Sequence, residues 1–385
     1  MPAPRYSLRL HWELAPNRLS RLLEEKRASG TPILDLTESN PTAAGFAYPG
    51  EAILSSLADP RLLRYEPSAA GLAAARAAVS EYYGGQVPPE RILLTASTSE
   101  AYSFVFKLLT DPGDEVLVPR PSYPLFDFLA ALESVRLVQY PLIYRGAWTI
   151  DFDALAQSIS SRTRAIVLVN PNNPTGSFLK RGELGPLLEL AVRHNLALIS
   201  DEVFADYLLD PEAPIVRSLR EVKDVLTFCL SGLSKVAALP QLKLGWIALG
   251  GPGGVGEEAF ERLELIADTY LSVSAPVQWA ASALLETRAG MQEQILARVR
   301  ANRSFLAEQI AGAAPWKLLS TEGGWYGILE TPDIRDEEDW VLEALAQKNV
   351  LVQPGFFFDF DREGFVALSL LTPEQVFRDG VRAIL

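Results

Sequence analysis

Lys235 lies in Ser231-Gly232-Leu233-Ser234-Lys235, directly after the apolar run Val225-Leu226-Thr227-Phe228-Cys229-Leu230. A lysine leaving a buried strand among small residues is poorly solvated. Desolvation lowers its pKa and frees a lone pair, which suits imine formation with an aldehyde cofactor. Taken alone, the segment also fits a plain surface lysine. Two upstream segments favour the chemistry: Asn170-Pro171-Asn172-Asn173-Pro174-Thr175-Gly176, and Asp201-Glu202 at the end of another apolar run. A carboxylate at Asp201 can face a pyridine nitrogen and keep it protonated, which makes the ring an electron sink. It can equally cap a turn. Asn173 can donate to a ring oxygen, while Pro174-Thr175-Gly176 shape a tight turn. Tyr123, between Ser122 and Pro124, can stack on a ring or simply fill a core. Ser97, Thr98 and Ser99 open a helix, whose free N–H groups and dipole suit a phosphate. An ordinary Ser/Thr N-cap has the same appearance.

These residues need elements to hold them. Strand-like runs are expected at Ile92–Thr95, Glu115–Val118, Val135–Tyr140, Ala165–Val169, Leu196–Ser200, Val225–Leu230 and Gly245–Leu249. Helical stretches such as Glu100–Leu109 and Glu183–His194 alternate with them. Continuous apolar strands joined by helices imply a mostly parallel seven-stranded α/β sheet covered on both faces. Ligands sit at the carboxyl ends of such strands. Ser97–Ser99, Tyr123, Asn173, Asp201 and Lys235 all follow strands, so separate loops converge on one edge. After about residue 290 the pattern changes. A helix at Gln292–Gln309, a strand at Trp325–Leu329, a helix at Glu338–Lys348 and strands at Val350–Gln353 and Phe365–Leu370 suggest a smaller α+β domain. The division expected is a large domain over 31–280, with 1–30 and 281–385 forming the small one.

Bulk properties exclude several classes. The chain has 385 residues, 48% apolar and 22% charged, and a net charge of −13. That balance argues against nucleic-acid or anionic-membrane partners, which want clustered Lys and Arg. The single cysteine, Cys229, sits in a strand-like run and reads as a small buried hydrophobe. The N-terminus Met1-Pro2-Ala3-Pro4-Arg5 lacks a signal-peptide core, and no run approaches about 18 apolar residues. A cytoplasmic location is expected. His11 and His194 show no metal-ligand spacing, so no metal is expected.

The order and separation of these motifs resemble the class I/II aminotransferases, pyridoxal-phosphate enzymes of fold type I. The resemblance runs from Ser39-Asn40-Pro41-Thr42 to the C-terminal region, and Asp111-Pro112-Gly113-Asp114-Glu115-Val116 with Pro121-Ser122-Tyr123-Pro124 is equally typical. It implies that Lys235 holds pyridoxal 5'-phosphate as an imine and shuttles the substrate proton. Asp201 would pair with the ring nitrogen, Asn173 would bond the ring oxygen and Tyr123 would stack. Ser97, Thr98, Ser99 and Ser234 would take the phosphate. Tyr65 resembles the tyrosine that reaches the partner subunit's phosphate, which implies a homodimer with shared sites. Asn40-Pro41-Thr42 resembles the loop that closes over substrate. The implied activity is ping-pong transfer from an amino acid or amine to a keto acid. A lyase or decarboxylase on the same scaffold, or a non-catalytic cofactor-binding module, is the alternative.

Three positions depart from the family pattern, and all normally grip charge. Lys243 replaces an arginine, giving a point charge in place of a bidentate fork. Phe204 replaces a tyrosine; the lost hydrogen bond favours the protonated imine, unless Tyr207 substitutes. Ala367 occupies the position of the arginine that clamps the substrate carboxylate. Either another cation takes that role, Arg362 first and Arg120 second, or the substrate has no carboxylate there. Phe356-Phe357-Phe358 and Trp325-Tyr326 suggest an aromatic substrate pocket or an ordinary core.

Overall fold

A computed structural model describes residues 6–10, 12–311, 315–331 and 336–385, so residues 1–5 and His11 lie outside it. The large sheet contains β1 (Ile92–Thr95), β2 (Glu115–Arg120), β3 (Arg136–Tyr144), β4 (Trp148–Ile150), β5 (Thr163–Val169), β6 (Ala197–Asp201), β7 (Thr227–Gly232) and β8 (Gly245–Gly250). Their spatial order is β1-β8-β7-β6-β5-β2-β3-β4. The inner pairs β7–β6, β6–β5, β5–β2 and β2–β3 are parallel. Strand β8 runs antiparallel to both β7 and β1. All seven expected strands are present. An eighth, β4, folds back antiparallel on β3, which reaches Tyr144 rather than stopping at Tyr140. Three residues beyond a glycine turn are too few to show a period in sequence.

Alternation along the strands fills both faces. Leu94, Leu117, Ile166, Leu198 and Cys229 pack on one side, with Leu187 and Leu190 of the helix Arg181–His194. Leu93, Val116, Val167, Ile199 and Phe228 pack on the other, with Val105 of the helix Thr98–Leu109. Because the parallel strands all end toward one edge, the residues that follow them share that edge.

The C-terminal region builds a second sheet from β9 (Lys317–Leu318), β10 (Tyr326–Glu330), β11 (Gln353–Pro354) and β12 (Phe365–Ser369), in the order β9-β10-β12-β11. The helices Arg288–Ala311, Glu337–Lys348 and Glu374–Ile384 cover it, burying Met291, Ile295, Val341, Leu345, Phe377 and Val381. Leu19 and Leu36 join that core, and Leu34–Asp35 pairs in parallel with Val350–Leu351. The loop between β11 and β12 is held by one buried carboxylate. Glu337 accepts the backbone N–H groups of Phe356 at 2.8 Å, Gly364 at 2.9 Å and Phe365 at 2.9 Å. No helix among the described residues is long and apolar enough to cross a membrane.

Candidate active site

A cavity of about 300 Å3 opens at the carboxyl edge of the large sheet, a volume suited to a small cofactor. It is lined by Ser97, Thr98, Ser99, Tyr123, Asn173, Asp201, Ser234, Lys235 and Lys243, so one site gathers nine of the residues singled out in sequence. Phe204, Ser39 and Tyr326 also line it.

Each contributor is aimed by its local fold. In the segment Ser97-Thr98-Ser99-Glu100 the N-cap and Glu100 each hold a main-chain N–H at the helix start. Ser97 Oγ accepts the Glu100 N–H at 3.1 Å, and Glu100 Oε2 accepts the Ala96 N–H at 2.6 Å. Ser97 is thus an N-cap as well as a cavity residue. The first turn behind it presents free N–H groups and the positive end of a 12-residue helix. In Asn170–Gly176 most polar groups serve the loop. Asn170 Nδ2 donates to the Val216 carbonyl oxygen at 2.8 Å, and Asn172 Oδ1 accepts the Thr175 hydroxyl at 2.9 Å. Gly176 has φ +68°, and a Cβ there would lie 2.4 Å from the Gly323 carbonyl oxygen, so only glycine fits. Asn173 is left with a buried Oδ1 that has no hydrogen-bond partner among the described residues. An orphaned buried acceptor at a cavity wall is a place that a bound donor would satisfy.

Asp201 ends β6, and its burial pushes the carboxyl up to about 6. Two donors work against that rise: the Val203 N–H at 3.2 Å from Oδ1 and the Tyr102 hydroxyl at 3.1 Å from Oδ2. Lys235 sits opposite, in the helix Leu233–Val236. Desolvation brings its ammonium down to about 8, and the Asp201 charge resists the fall. Its Nζ lies 5.1 Å from the Trp325 ring centroid and 5.6 Å from that of Phe204, within cation–π range. Burial therefore moves acid and base toward neutrality from both sides, a common signature of catalytic sites.

Other expected residues lie elsewhere. Arg362 pairs with the Glu330 carboxylate and places its guanidinium carbon 4.5 Å from the Phe365 ring centroid, away from the cavity wall. Arg120 donates to the carbonyl oxygens of Asp359 at 2.7 Å and Phe360 at 3.2 Å. Ala367 is 1% exposed and packs among Trp148, Ile328, Phe358 and Phe365. Asn40 is exposed, and its Oδ1 accepts the Thr42 N–H at 3.0 Å, whereas the neighbouring Ser39 reaches the cavity. Tyr65 is 82% exposed and lines a separate cavity of about 230 Å3 with Arg64 and Trp279. Tyr207 does not take over the role vacated at Phe204, because its hydroxyl donates to the Lys235 carbonyl oxygen at 2.6 Å. Tyr102 is a site residue that sequence reasoning missed. The available signal is a tyrosine on the buried face of the helix that Ser97 caps, since a buried phenol needs a partner.

The sequence matches the family Aminotransferase class I and II over residues 31–384. The chain belongs to the class I and II aminotransferases. Within that family it is 30% identical over 351 residues to a glutamate-pyruvate aminotransferase, AlaA, of Escherichia coli strain K12, covering 89% of this chain and 86% of that protein. It is 31% identical over 242 residues to the S-alkyl-thiohydroximate lyase SUR1 of Arabidopsis thaliana, covering 61% of this chain and 52% of that protein. The alanine aminotransferase of Pyrococcus furiosus superposes with a TM-score of 0.89 at 26% identity, covering 98% of each chain. The fold is therefore that of the fold type I transferases, and the chain is a transaminase.

Proposed function

We propose that this aminotransferase binds pyridoxal 5'-phosphate at Lys235 and moves an amino group from an amino acid or amine to a keto acid in a ping-pong cycle. The observation that carries the proposal is the buried pair Lys235 and Asp201 in one cavity, beside a helix N-terminus that suits phosphate. When bound, pyridoxal phosphate supplies an aldehyde that accepts amines and a ring that withdraws electrons. The chain's residues do the rest. Lys235 provides the attaching amine and moves the proton at the substrate carbon; a pKa of about 8 makes it an effective base near neutral pH. Asp201 holds the proton on the ring nitrogen. Asn173 offers its amide to the ring oxygen, and Tyr123 covers one ring face. Ser97, Thr98, Ser99, Ser234 and Lys243 hold the phosphate. The exposed Tyr65 fits a homodimer in which it reaches a second copy, and the loop at Ser39-Asn40 sits where it can cover substrate. A cytoplasmic enzyme fits the composition.

The test is a single-turnover donor screen without acceptor. One equivalent of carbonyl product per site, with the nitrogen retained by the protein, is expected. Ammonia or carbon dioxide release would replace this reading with a lyase or decarboxylase, and inert mixing with every donor would leave a binding module.

Lys243 yields a separate prediction. Lys243→Ala removes one charged contact to phosphate, so cofactor affinity by equilibrium dialysis should weaken about 10-fold, the scale of one charge-assisted hydrogen bond. An unchanged affinity would remove Lys243 from the phosphate set.

A further inference from the structure

The four-residue helix Leu233–Val236 carries Lys235, and such a short helix leaves its last carbonyl oxygens without helical partners. Side chains from distant segments take them. Tyr207 donates its phenol hydrogen to the Lys235 carbonyl oxygen at 2.6 Å. Gln292 donates to the Val236 carbonyl oxygen at 2.7 Å, and just past the helix Tyr48 donates to that of Ala238 at 2.7 Å. Of these three side chains, Tyr207 is the one that acts on the lysine itself. The Ala238 N–H also reaches that oxygen, at a longer 3.3 Å.

Tyr207 meets Lys235 at a second point. Its fully buried ring lies edge-on to Trp325, with centroids 4.9 Å apart. The same Trp325 ring lies 5.1 Å from Lys235 Nζ. One side chain therefore restrains the backbone of the lysine directly and its ammonium through the tryptophan. We propose that Tyr207 is the positioning residue of Lys235, holding its amine inside the cavity, facing Asp201. The hydroxyl's commitment to a backbone oxygen explains why it does not serve the ring beside Phe204. The inference rests on Lys235 as the cofactor lysine, but its test does not require cofactor.

Tyr207→Phe removes the hydroxyl and keeps the ring on Trp325. In cofactor-free protein, competitive acylation read by mass spectrometry gives the titration midpoint of Lys235. A released lysine moves toward water or toward the Asp201 carboxylate, and both raise the midpoint. We expect a rise of roughly half a unit or more from about 8. Tyr48→Phe loses an equivalent bond on Ala238 and should lower the melting temperature comparably without moving the midpoint. In holoenzyme, Tyr207→Phe should cut kcat roughly 10-fold with KM within about twofold, as misplacement of a reacting group does. The proposal is overturned if Tyr207→Phe loses stability as Tyr48→Phe does while the Lys235 midpoint stays put. If the midpoint rises but no donor reacts with wild-type enzyme, the positioning stands and the aminotransferase reading falls.

Discussion

Lys235→Ala is expected to abolish covalent cofactor attachment and to lower single-turnover transamination by roughly 10^4-fold or more, the upper range for losing a general acid–base group. The variant removes the cavity's attaching amine and its base together. Asp201, Asn173 and the phosphate-binding turn remain, so cofactor should still bind reversibly. Mass spectrometry after borohydride reduction provides the check: wild type gains the mass of the reduced cofactor on the Lys235 peptide, and the variant gains none. A stable adduct in the variant would place the attaching lysine elsewhere. The fold should survive, because the cation is costly to bury and alanine is not.

Asp201→Asn should divide stability from activity. The Asp201 carboxyl is raised from 3.8 to about 6 in the folded chain, chiefly by burial. A carboxyl raised on folding leaves stability intact below its unfolded pKa and lowers it as pH rises through the folded one. The loss therefore develops between about 4 and 6 and persists at neutral pH. Two units correspond to about 3 kcal/mol. Asparagine removes that penalty while still accepting the Val203 N–H and donating to the Tyr102 oxygen. Cofactor-free Asp201→Asn should thus gain up to about 3 kcal/mol at pH 7 and almost nothing at pH 3.5. Denaturant melts at the two pH values measure it, and a gain independent of pH would refute the account. Turnover should fall by about 10^2–10^3-fold, the cost of one preorganised electrostatic contact. Lys235 should titrate lower than about 8, because the Asp201 charge is what resists its desolvation.

The legible part of the site is the part attached to strand ends. Asn173, Asp201 and Lys235 could be placed together because a parallel sheet brings its carboxyl ends to one edge, whatever the loop lengths. The large sheet was legible for the same reason, since buried strands are nearly continuous apolar runs. Tyr102 was harder to read, because its role depends on the phase of a helix relative to a strand nearly a hundred residues away. Tyr326 reaches the cavity from β10 of the other sheet, Trp325 just before it lies against Lys235, and no local pattern encodes that docking. Arg362 shows the limit of proximity in sequence. It lies five residues from Ala367, but Gly364 at φ +98° intervenes, and the guanidinium ends against Glu330 and Phe365. Tyr207 shows that a hydroxyl near the right place can be spent on the backbone.

The Glu337 carboxylate has a consequence for how this enzyme can change. It grips the loop between β11 and β12 only through main-chain N–H groups, which every residue but proline offers. That grip is independent of the side chains it holds, although Phe358 is buried and also packs against Trp148, Ile328 and Phe365. Selection can rewrite the exposed Phe356, and with it part of the face shown to incoming molecules, while a carboxylate elsewhere keeps the curve of the chain constant.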